Sequence, residues 1–288
     1  MRLDAPLVGW FHLSGEETAR ARDFLRRCNG EDAVDELGFG ILRDGFSDQF
    51  YPGTSTVMTQ PRYLLFIAAI YRSLERALER RRDSVDDLLR RSREMQDQLR
   101  DVLAATYQNK RGHGVIGISV REPERYPSAI YWASLRVLGI FRRPGMAEGE
   151  YLRSLEGHYE ASRSESNNGD PVAEVAAPAP AWDRKIPYAS GGEPVQDALG
   201  RFAQGIDFAL LPAEATYLAD CYLRPDTKDQ RGIGLDRSLL AFLIERRRKT
   251  SFAFPWDVKP PPHLEQVVDD AKHFSVLARG ATLQYYFW

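Results

Sequence analysis

The stretch RYLLFIAAIYRSLERALERR, from Arg62 to Arg81, decides the fold class of this chain. Its first half is apolar on every side, whereas its second half places leucines between charged residues at helical spacing. Pro61 precedes it, where the first turn of a helix accepts a residue that lacks an N–H group. The pattern predicts a helix whose first half is buried and whose second half emerges into solvent.

A second helix is predicted immediately downstream, where one face carries apolar residues at helical spacing. These residues are Val85, Leu88, Met95, Leu99 and Val102. Counted from Leu74 in the first helix, these apolar residues approximate a heptad repeat, which Arg81 and Ser92 interrupt. A packed pair of helices is therefore favoured over a long coiled coil.

Helix signals also lie outside this pair. Upstream, Ser14 and Glu17 form a capping-box pattern, and the segment from Asp32 to Thr59 is interpreted as irregular or short-stranded. Downstream, Ser128 is the predicted cap of a helix that stops at Gly139.

Four more helices complete the prediction. They cover approximately Ala147–Ser162, a segment starting at Pro212, the segment LDRSLLAFLIERRRK, and the chain from about His263 to its end. The sequence therefore predicts a mainly α-helical fold, with helical domains, short strands and long irregular loops.

A boundary is predicted at Ser164–Trp182, which is poor in large apolar residues and rich in Ser, Asn, Pro and Ala. It divides an N-terminal helical domain, 1–163, from a linker or mobile loop, 164–182, and a C-terminal helical region, 183–288. The chain stops within the apolar pattern GATLQYYFW. We expect either that the native chain continues or that a partner covers this end; the oligomeric state stays open.

Composition restricts the function classes. The 288 residues carry 39 Lys and Arg against 41 Asp and Glu, so the net charge is −2. This balance argues against sequence-independent coating of nucleic acid. No run approaches the roughly 18 apolar residues that span a bilayer. Two cysteines, Cys28 and Cys221, stand in predicted helices without a secretory signal, so we expect reduced, packed thiols in a cytoplasmic protein.

The segment before the deciding helix is the main candidate for a functional site. Four of its carboxylates can hold Mg²⁺ for a hydrolase or nuclease reaction: Asp35, Glu36, Asp44 and Asp48. A second set can bind an anion or a partner: Arg43, Gly53, Thr54, Ser55, Thr56 and Arg62. The structural alternative, glycine turns with hydroxyl groups capping the backbone and carboxylates paired with arginines, is favoured.

Other motifs give weaker signals. GHGVIG at Gly112–Gly117 has dinucleotide-loop spacing, but a helix precedes it and two prolines follow it, so a turn-and-strand connection is favoured. Asp269 and His273, four residues apart, are the best metal-ligand pair. No cofactor is predicted, and Mg²⁺ enters only with the carboxylate hypothesis.

A nucleic-acid surface is an alternative for the segment Ser128–Arg143 and the residues before it. Its arginines can contact phosphate while exposed aromatic residues stack on bases; they are Arg121, Arg125, Arg136, Arg142 and Arg143. The structural alternative is that basic residues favour the C-terminal end of a helix.

Several motifs, in this order, resemble an uncharacterised bacterial family described only as a domain of unknown function. They are WxxLS, DELGFG, RDGFSDQFYPGTST, QPRYLLF, GVIG, YPSAIYW and LLPAEATYL. Against the family pattern, Tyr51 replaces a phenylalanine and Gln60-Pro61 replaces Thr-Arg, so one of two expected arginines is absent. The resemblance implies no activity; it implies longer C-termini and an association with DNA-processing or phage-defence genes.

The sequence thus favours a non-enzymatic binding or adaptor component of a larger assembly, with a protein partner and the segment Asp35–Tyr63 as its contact surface. The alternatives are a metal-dependent hydrolase or nuclease and a DNA-binding helical module. The sequence leaves open whether the chain is an enzyme.

Overall fold

The computed structural model describes residues 39–78, 85–108, 112–118, 125–143, 145–167, 181–187, 202–224, 234–246 and 254–286. These residues form eight α-helices: α1 (Phe39–Phe50), α2 (Tyr63–Leu78), α3 (Val85–Thr106), α4 (Pro127–Val137), α5 (Glu148–Asn167), α6 (Pro212–Leu223), α7 (Leu239–Glu245) and α8 (Glu265–Tyr286). Short 3₁₀ segments cover Leu235–Arg237, Pro255–Asp257 and Pro262–Leu264.

The mainly α-helical class is confirmed, but the predicted short strands do not occur in the described residues. Phe141 and Trp182 form only an isolated antiparallel bridge. The chain forms two compact units, residues 1–44 and 45–288. The predicted helix at Ser14 lies outside the described residues. Of the helices in the described ranges, none combines the length and the hydropathy needed to cross a bilayer.

The first half of α2 is the centre of the main core, as predicted. Residues Tyr63–Ala68 are all buried, and α2 packs against α3 and α4. The same core includes Phe208, Tyr217 and Leu235, which come from beyond the predicted linker. Aliphatic and aromatic side chains in such a site each contribute about 1.5–3 kcal/mol to folding.

The end of the predicted linker also belongs to the core. Trp182 is buried, its indole N–H donates to the Tyr151 hydroxyl at 2.8 Å, and its ring packs 5.0 Å from the Phe141 ring. Backbone bonds from Arg142 N to Ala181 O at 2.7 Å and from Asp183 N to Ile140 O at 2.8 Å hold this segment beside the end of α4.

A smaller core lies on the C-terminal half of α1. Phe50 is buried with Leu239, Leu264 and Val268, and the Phe46 and Phe50 rings stack at 6.4 Å. The interpretation of 32–59 as irregular is therefore wrong for 39–50. Gly40 and Gly45 cost the helix about 1 kcal/mol each, but burying the Phe50 side chain alone contributes about 1.5–3 kcal/mol.

A buried polar network joins α2, α3, α4 and α5. The Tyr71 hydroxyl donates to Glu148, and the Ser92 hydroxyl lies 3.0 Å from the Tyr71 oxygen. Gln96 donates to Ser92 Oγ at 3.1 Å and to Ser128 Oγ at 3.2 Å, and Ser128 Oγ lies 3.1 Å from Glu148 Oε1. Ser92, which interrupts the apolar seam, thus satisfies a buried hydroxyl group.

Ser128 does not cap α4, so that prediction is wrong. Tyr126 occupies the N-cap position without a side-chain cap bond, and Pro127 fills the first turn. The Ser128 N–H instead donates to Gln96 Oε1 at 2.8 Å. The predicted stop at Gly139 is confirmed, because this residue adopts φ +64° beyond the last turn of α4.

Candidate functional site

The segment between α1 and α2, residues 51–61 (YPGTSTVMTQP), is called the hydroxyl loop below. Of the residues proposed to bind an anion or a partner, this loop contains Gly53, Thr54, Ser55 and Thr56. Arg62 follows it directly.

One tyrosine holds the base of the hydroxyl loop. Tyr131 of α4 is only 1% exposed, and its hydroxyl oxygen accepts the N–H groups of Thr59 at 2.9 Å and Gln60 at 3.0 Å. The same hydroxyl donates to the Gln60 carbonyl at 2.9 Å. A phenol oxygen has one proton and two lone pairs, so this set uses its full bonding capacity.

The GHGVIG segment supports the loop from the side. Thr59 Oγ1 donates to Gly114 O at 2.6 Å, and Gln60 Nε2 donates to His113 O at 3.2 Å. Gly114 adopts φ +85°, and a Cβ there would lie 3.0 Å from Gln60 Cγ. The described residues 112–118 form turns without a strand. Gly114 lets the backbone of this segment approach Gln60 closely. No helix that could offer its N-terminus to a dinucleotide begins within residues 112–118.

A tight turn leads into the loop. Gly53 adopts φ +72°, and a Cβ there would lie 3.1 Å from Val137 Cγ1. Thr54 donates to Tyr51 O twice, from its N–H at 3.1 Å and from its hydroxyl at 2.7 Å. The Thr54 hydroxyl therefore stabilises the backbone, as the structural alternative predicted.

The tip of the loop, Ser55–Val57, faces outward. Ser55 and Thr56 are exposed, and Val57 is 50% exposed. Within the described residues, the Ser55 and Thr56 hydroxyl groups make no hydrogen bond. The loop thus combines a fixed base with an open tip that carries two hydroxyl groups and one apolar side chain.

Arg62 lies beneath the loop and binds protein groups. Its Nε and Nη2 lie 3.0 Å from the two carboxylate oxygens of Glu214, which is itself fully buried. Its Nη1 donates to Asp207 O at 2.7 Å and lies 3.1 Å from Asp207 Oδ1. This ion pair, with its hydrogen bond from Nη2 to Glu214, joins the start of α2 to the start of α6. The Arg62 guanidinium is thus held by protein groups and does not belong to an exposed contact surface.

The proposed Mg²⁺ carboxylates are only partly described. Asp35 and Glu36 lie outside the described residues. Asp44 is exposed and pairs with Arg43 at 2.9 Å, which is the pairing expected of the structural alternative. Asp48 is exposed. The part of the chain that the structure describes contains no group of three His, Cys, Asp or Glu residues arranged to hold a metal ion.

Two other proposed chemistries have a simple structural account. Asp269 and His273 form an exposed pair at 3.6 Å on α8, and no third ligand joins them in the described ranges.

Cys221 is fully buried in α6, as predicted for a packed thiol, and burial raises its pKa to about 11. A thiol of that pKa is protonated at neutral pH and is a poor nucleophile. Cys28 lies outside the described residues.

The nucleic-acid candidates are scattered. Arg121 lies outside the described residues, Arg125 is exposed, and Arg136 and Arg143 are half-buried. Arg142 pairs with the buried Asp183 at 2.6 Å.

The expectation of exposed aromatic residues in α4 is wrong. Tyr131 and Trp132 are both buried, because they point into the main core.

Sequence reasoning missed a cleft of about 210 Å³ between the end of α1 and the start of α8. Asp48, Arg237 and His263 line it, and the His263 ring Nε2 lies 2.9 Å from the Arg237 carbonyl. These residues are far apart in the sequence and carry no motif spacing, so no local signal indicates the cleft.

The model of the family of unknown function DUF6361 matches residues 6–166. The chain belongs to this family. The match covers α1 to α4 and most of α5, and with them the hydroxyl loop and its anchor Tyr131. No curated protein and no solved structure matches the chain.

Proposed function

We propose that this DUF6361 protein is a non-enzymatic binding component that presents the tip of the hydroxyl loop, Ser55–Val57, to a protein partner. The observation that carries the proposal is the contrast within one short loop. Its base is fixed by Tyr131 and by the GHGVIG segment, whereas its tip is exposed.

Rigidity at the base favours binding. Ordering a flexible backbone costs about 1–2 kcal/mol per residue. In the hydroxyl loop this entropic cost is met during folding rather than on binding, because Thr54, Thr59 and Gln60 already form hydrogen bonds within the folded chain. A partner that docks on the tip therefore meets a preorganised surface.

The chemistry of the tip favours a protein over an anion. Residues 51–61 contain no Lys or Arg, and the adjacent Arg62 is held by Glu214 and Asp207. A phosphate or carboxylate would meet no positive charge within the loop. Two hydroxyl groups beside an exposed valine instead match the mixed polar and apolar character of protein interfaces.

We expect the cytoplasm, and the resemblance suggests an assembly linked to nucleic-acid processing or phage defence.

The test is quantitative affinity purification of the tagged full-length protein from its native host, with Val57→Asp compared against Val276→Asp. Val276 of α8 is 65% exposed, so the control places the same charge on a similarly open valine. We expect at least one co-purifying protein to fall at least about tenfold with Val57→Asp, equivalent to about 1.4 kcal/mol, and to be unchanged with Val276→Asp. Recovery of every partner at wild-type levels with Val57→Asp would contradict the proposal.

A further inference from the structure

A second anchored segment lies at residues 181–187, remote in sequence from the hydroxyl loop. Its Asp183 side chain is 0% exposed and accepts hydrogen bonds from four groups. Arg142 Nη2 lies at 2.6 Å, Arg224 Nη1 at 2.8 Å, the Lys185 backbone N–H at 3.0 Å and the Tyr217 hydroxyl at 3.2 Å. One buried carboxylate thus orients two arginines, Arg142 from the segment that follows α4 and Arg224 directly after α6.

The charges around Asp183 do not cancel. Burial tends to raise the pKa of Asp183, but the Lys185 N–H and the guanidinium groups of Arg224 and Arg142 outweigh it and lower that pKa, so the carboxylate is ionised at neutral pH. It contributes one negative charge. Arg142, Arg224 and Lys185 contribute three positive charges, which leaves an excess of positive charge.

Arg142 and Lys185 are exposed, and the Arg224 side chain is 20% exposed. The Arg142 side chain is 46% exposed and uses only Nη2 for Asp183 in the described residues. Lys185 and Arg224 line an open depression of about 790 Å³, together with Thr216, Tyr217 and apolar side chains. Asp220 is the acidic residue of this lining and is exposed, so solvent and salt weaken its opposing field.

We propose that the Asp183 cluster, formed by Arg142, Lys185 and Arg224 around Asp183, binds a phosphate group, carried either by a nucleic-acid strand or by a small phosphorylated molecule. A guanidinium presents its N–H donors in a planar fork that matches phosphate oxygens. The buried carboxylate holds both forks in place, and each keeps further N–H donors beyond the nitrogen that contacts it. Lys185 adds a point charge to the depression that Arg224 also lines.

The test measures binding of two phosphate probes at low ionic strength. Calorimetry with inorganic tripolyphosphate reports a small-molecule site, and fluorescence anisotropy with single- and double-stranded oligonucleotides reports a strand. The variants are Lys185→Gln, Arg142→Gln and the control Lys272→Gln, an exposed lysine of α8. We expect at least one probe to bind, Lys185→Gln to weaken it at least about fivefold, and Lys272→Gln to leave it unchanged.

The probe that binds identifies the source, and the salt dependence of oligonucleotide binding reports the number of phosphate contacts. For each unit of log salt, log K falls by about 0.9 per phosphate contact on a duplex and by about 0.7 on a single strand, so two or three contacts give a slope of about −1.4 to −2.7. Lys185→Gln keeps the backbone bond to Asp183 and is expected to fold normally, even if Arg142→Gln does not. The proposal is overturned if neither probe binds, or if Lys185→Gln and Lys272→Gln bind equally well.

Discussion

The hydroxyl loop and the segment 181–187 are both short connections held by one buried polar side chain, but the two anchors differ in charge. Tyr131 holds the hydroxyl loop through a neutral hydroxyl group bonded to three backbone groups. Asp183 holds its segment through an ionised carboxylate bonded to two arginines, a tyrosine and a backbone N–H. The neutral anchor lies beside a neutral tip, for which we propose a protein partner, and the charged anchor lies beside surplus positive charge, for which we propose a phosphate ligand.

The largest expected effect comes from removing the charged anchor. Asp183→Ala leaves two arginines and the Tyr217 hydroxyl without their shared acceptor, and we expect a loss of about 3–5 kcal/mol in the free energy of unfolding. Urea denaturation measures this loss. The matched control is Asp220→Ala, which removes an exposed carboxylate from the depression that Lys185 and Arg224 line. For this variant we expect the free energy of unfolding to change by no more than about 0.5 kcal/mol. Equal effects of the two variants would contradict the role of Asp183 as an anchor.

Removing the neutral anchor is expected to cost less. Tyr131→Phe preserves the ring in the core but leaves the N–H groups of Thr59 and Gln60 and the Gln60 carbonyl without their partner. We expect a loss of about 1–3 kcal/mol by urea denaturation. A loss as large as that of Asp183→Ala would remove the distinction between the two anchors.

The two anchors also differ in their response to pH. The folded-state pKa of Asp183 is lowered, so its contribution to stability is present above the unfolded-state pKa and is lost as pH falls through the folded-state pKa. Urea denaturation at several acidic pH values is expected to show the stability gap between wild type and Asp183→Asn narrowing as pH falls below about 4. A gap that is constant or widens on acidification would contradict this account.

The smallest effect is expected at the open tip. Ser55→Ala combined with Thr56→Ala removes two hydroxyl groups that have no partner in the described residues, and the change in unfolding free energy should stay within about 0.5 kcal/mol. Thermal and urea denaturation measure it. A cost above about 1 kcal/mol would mean that these hydroxyl groups serve the fold, and the tip would not be a free contact surface.

The sequence predicted elements whose signal is local. The continuous apolar run of α2, the Pro212 start of α6 and the Gly139 stop of α4 each depend on neighbouring residues, and all three are confirmed. The α1 helix escaped prediction because its two glycines disfavour a helix, and its support comes from side chains of α7 and α8.

The anchors could not be predicted, because their partners are distant in the sequence. In the sequence, Tyr131 is one member of an apolar stripe at helical spacing. Its hydrogen bonds are made with Thr59 and Gln60, more than 70 positions away. Asp183 directly follows a Pro- and Ala-rich segment that resembles a linker. Its arginine partners are Arg142, 41 positions before it, and Arg224, directly after α6. Patterns in a single sequence identify the buried apolar faces, but they do not specify which polar groups become hydrogen-bond or ion-pair partners.

The most direct test of the central claim, a fixed base beneath an open tip, is hydrogen exchange of the backbone amides of the hydroxyl loop followed by NMR. The amides of Thr59 and Gln60 donate to Tyr131, so they should exchange at least about a hundredfold more slowly than those of Thr56 and Val57, and Tyr131→Phe should remove this protection. Thr59 and Gln60 amides that exchange as fast as those of the tip in the wild-type protein would contradict the account.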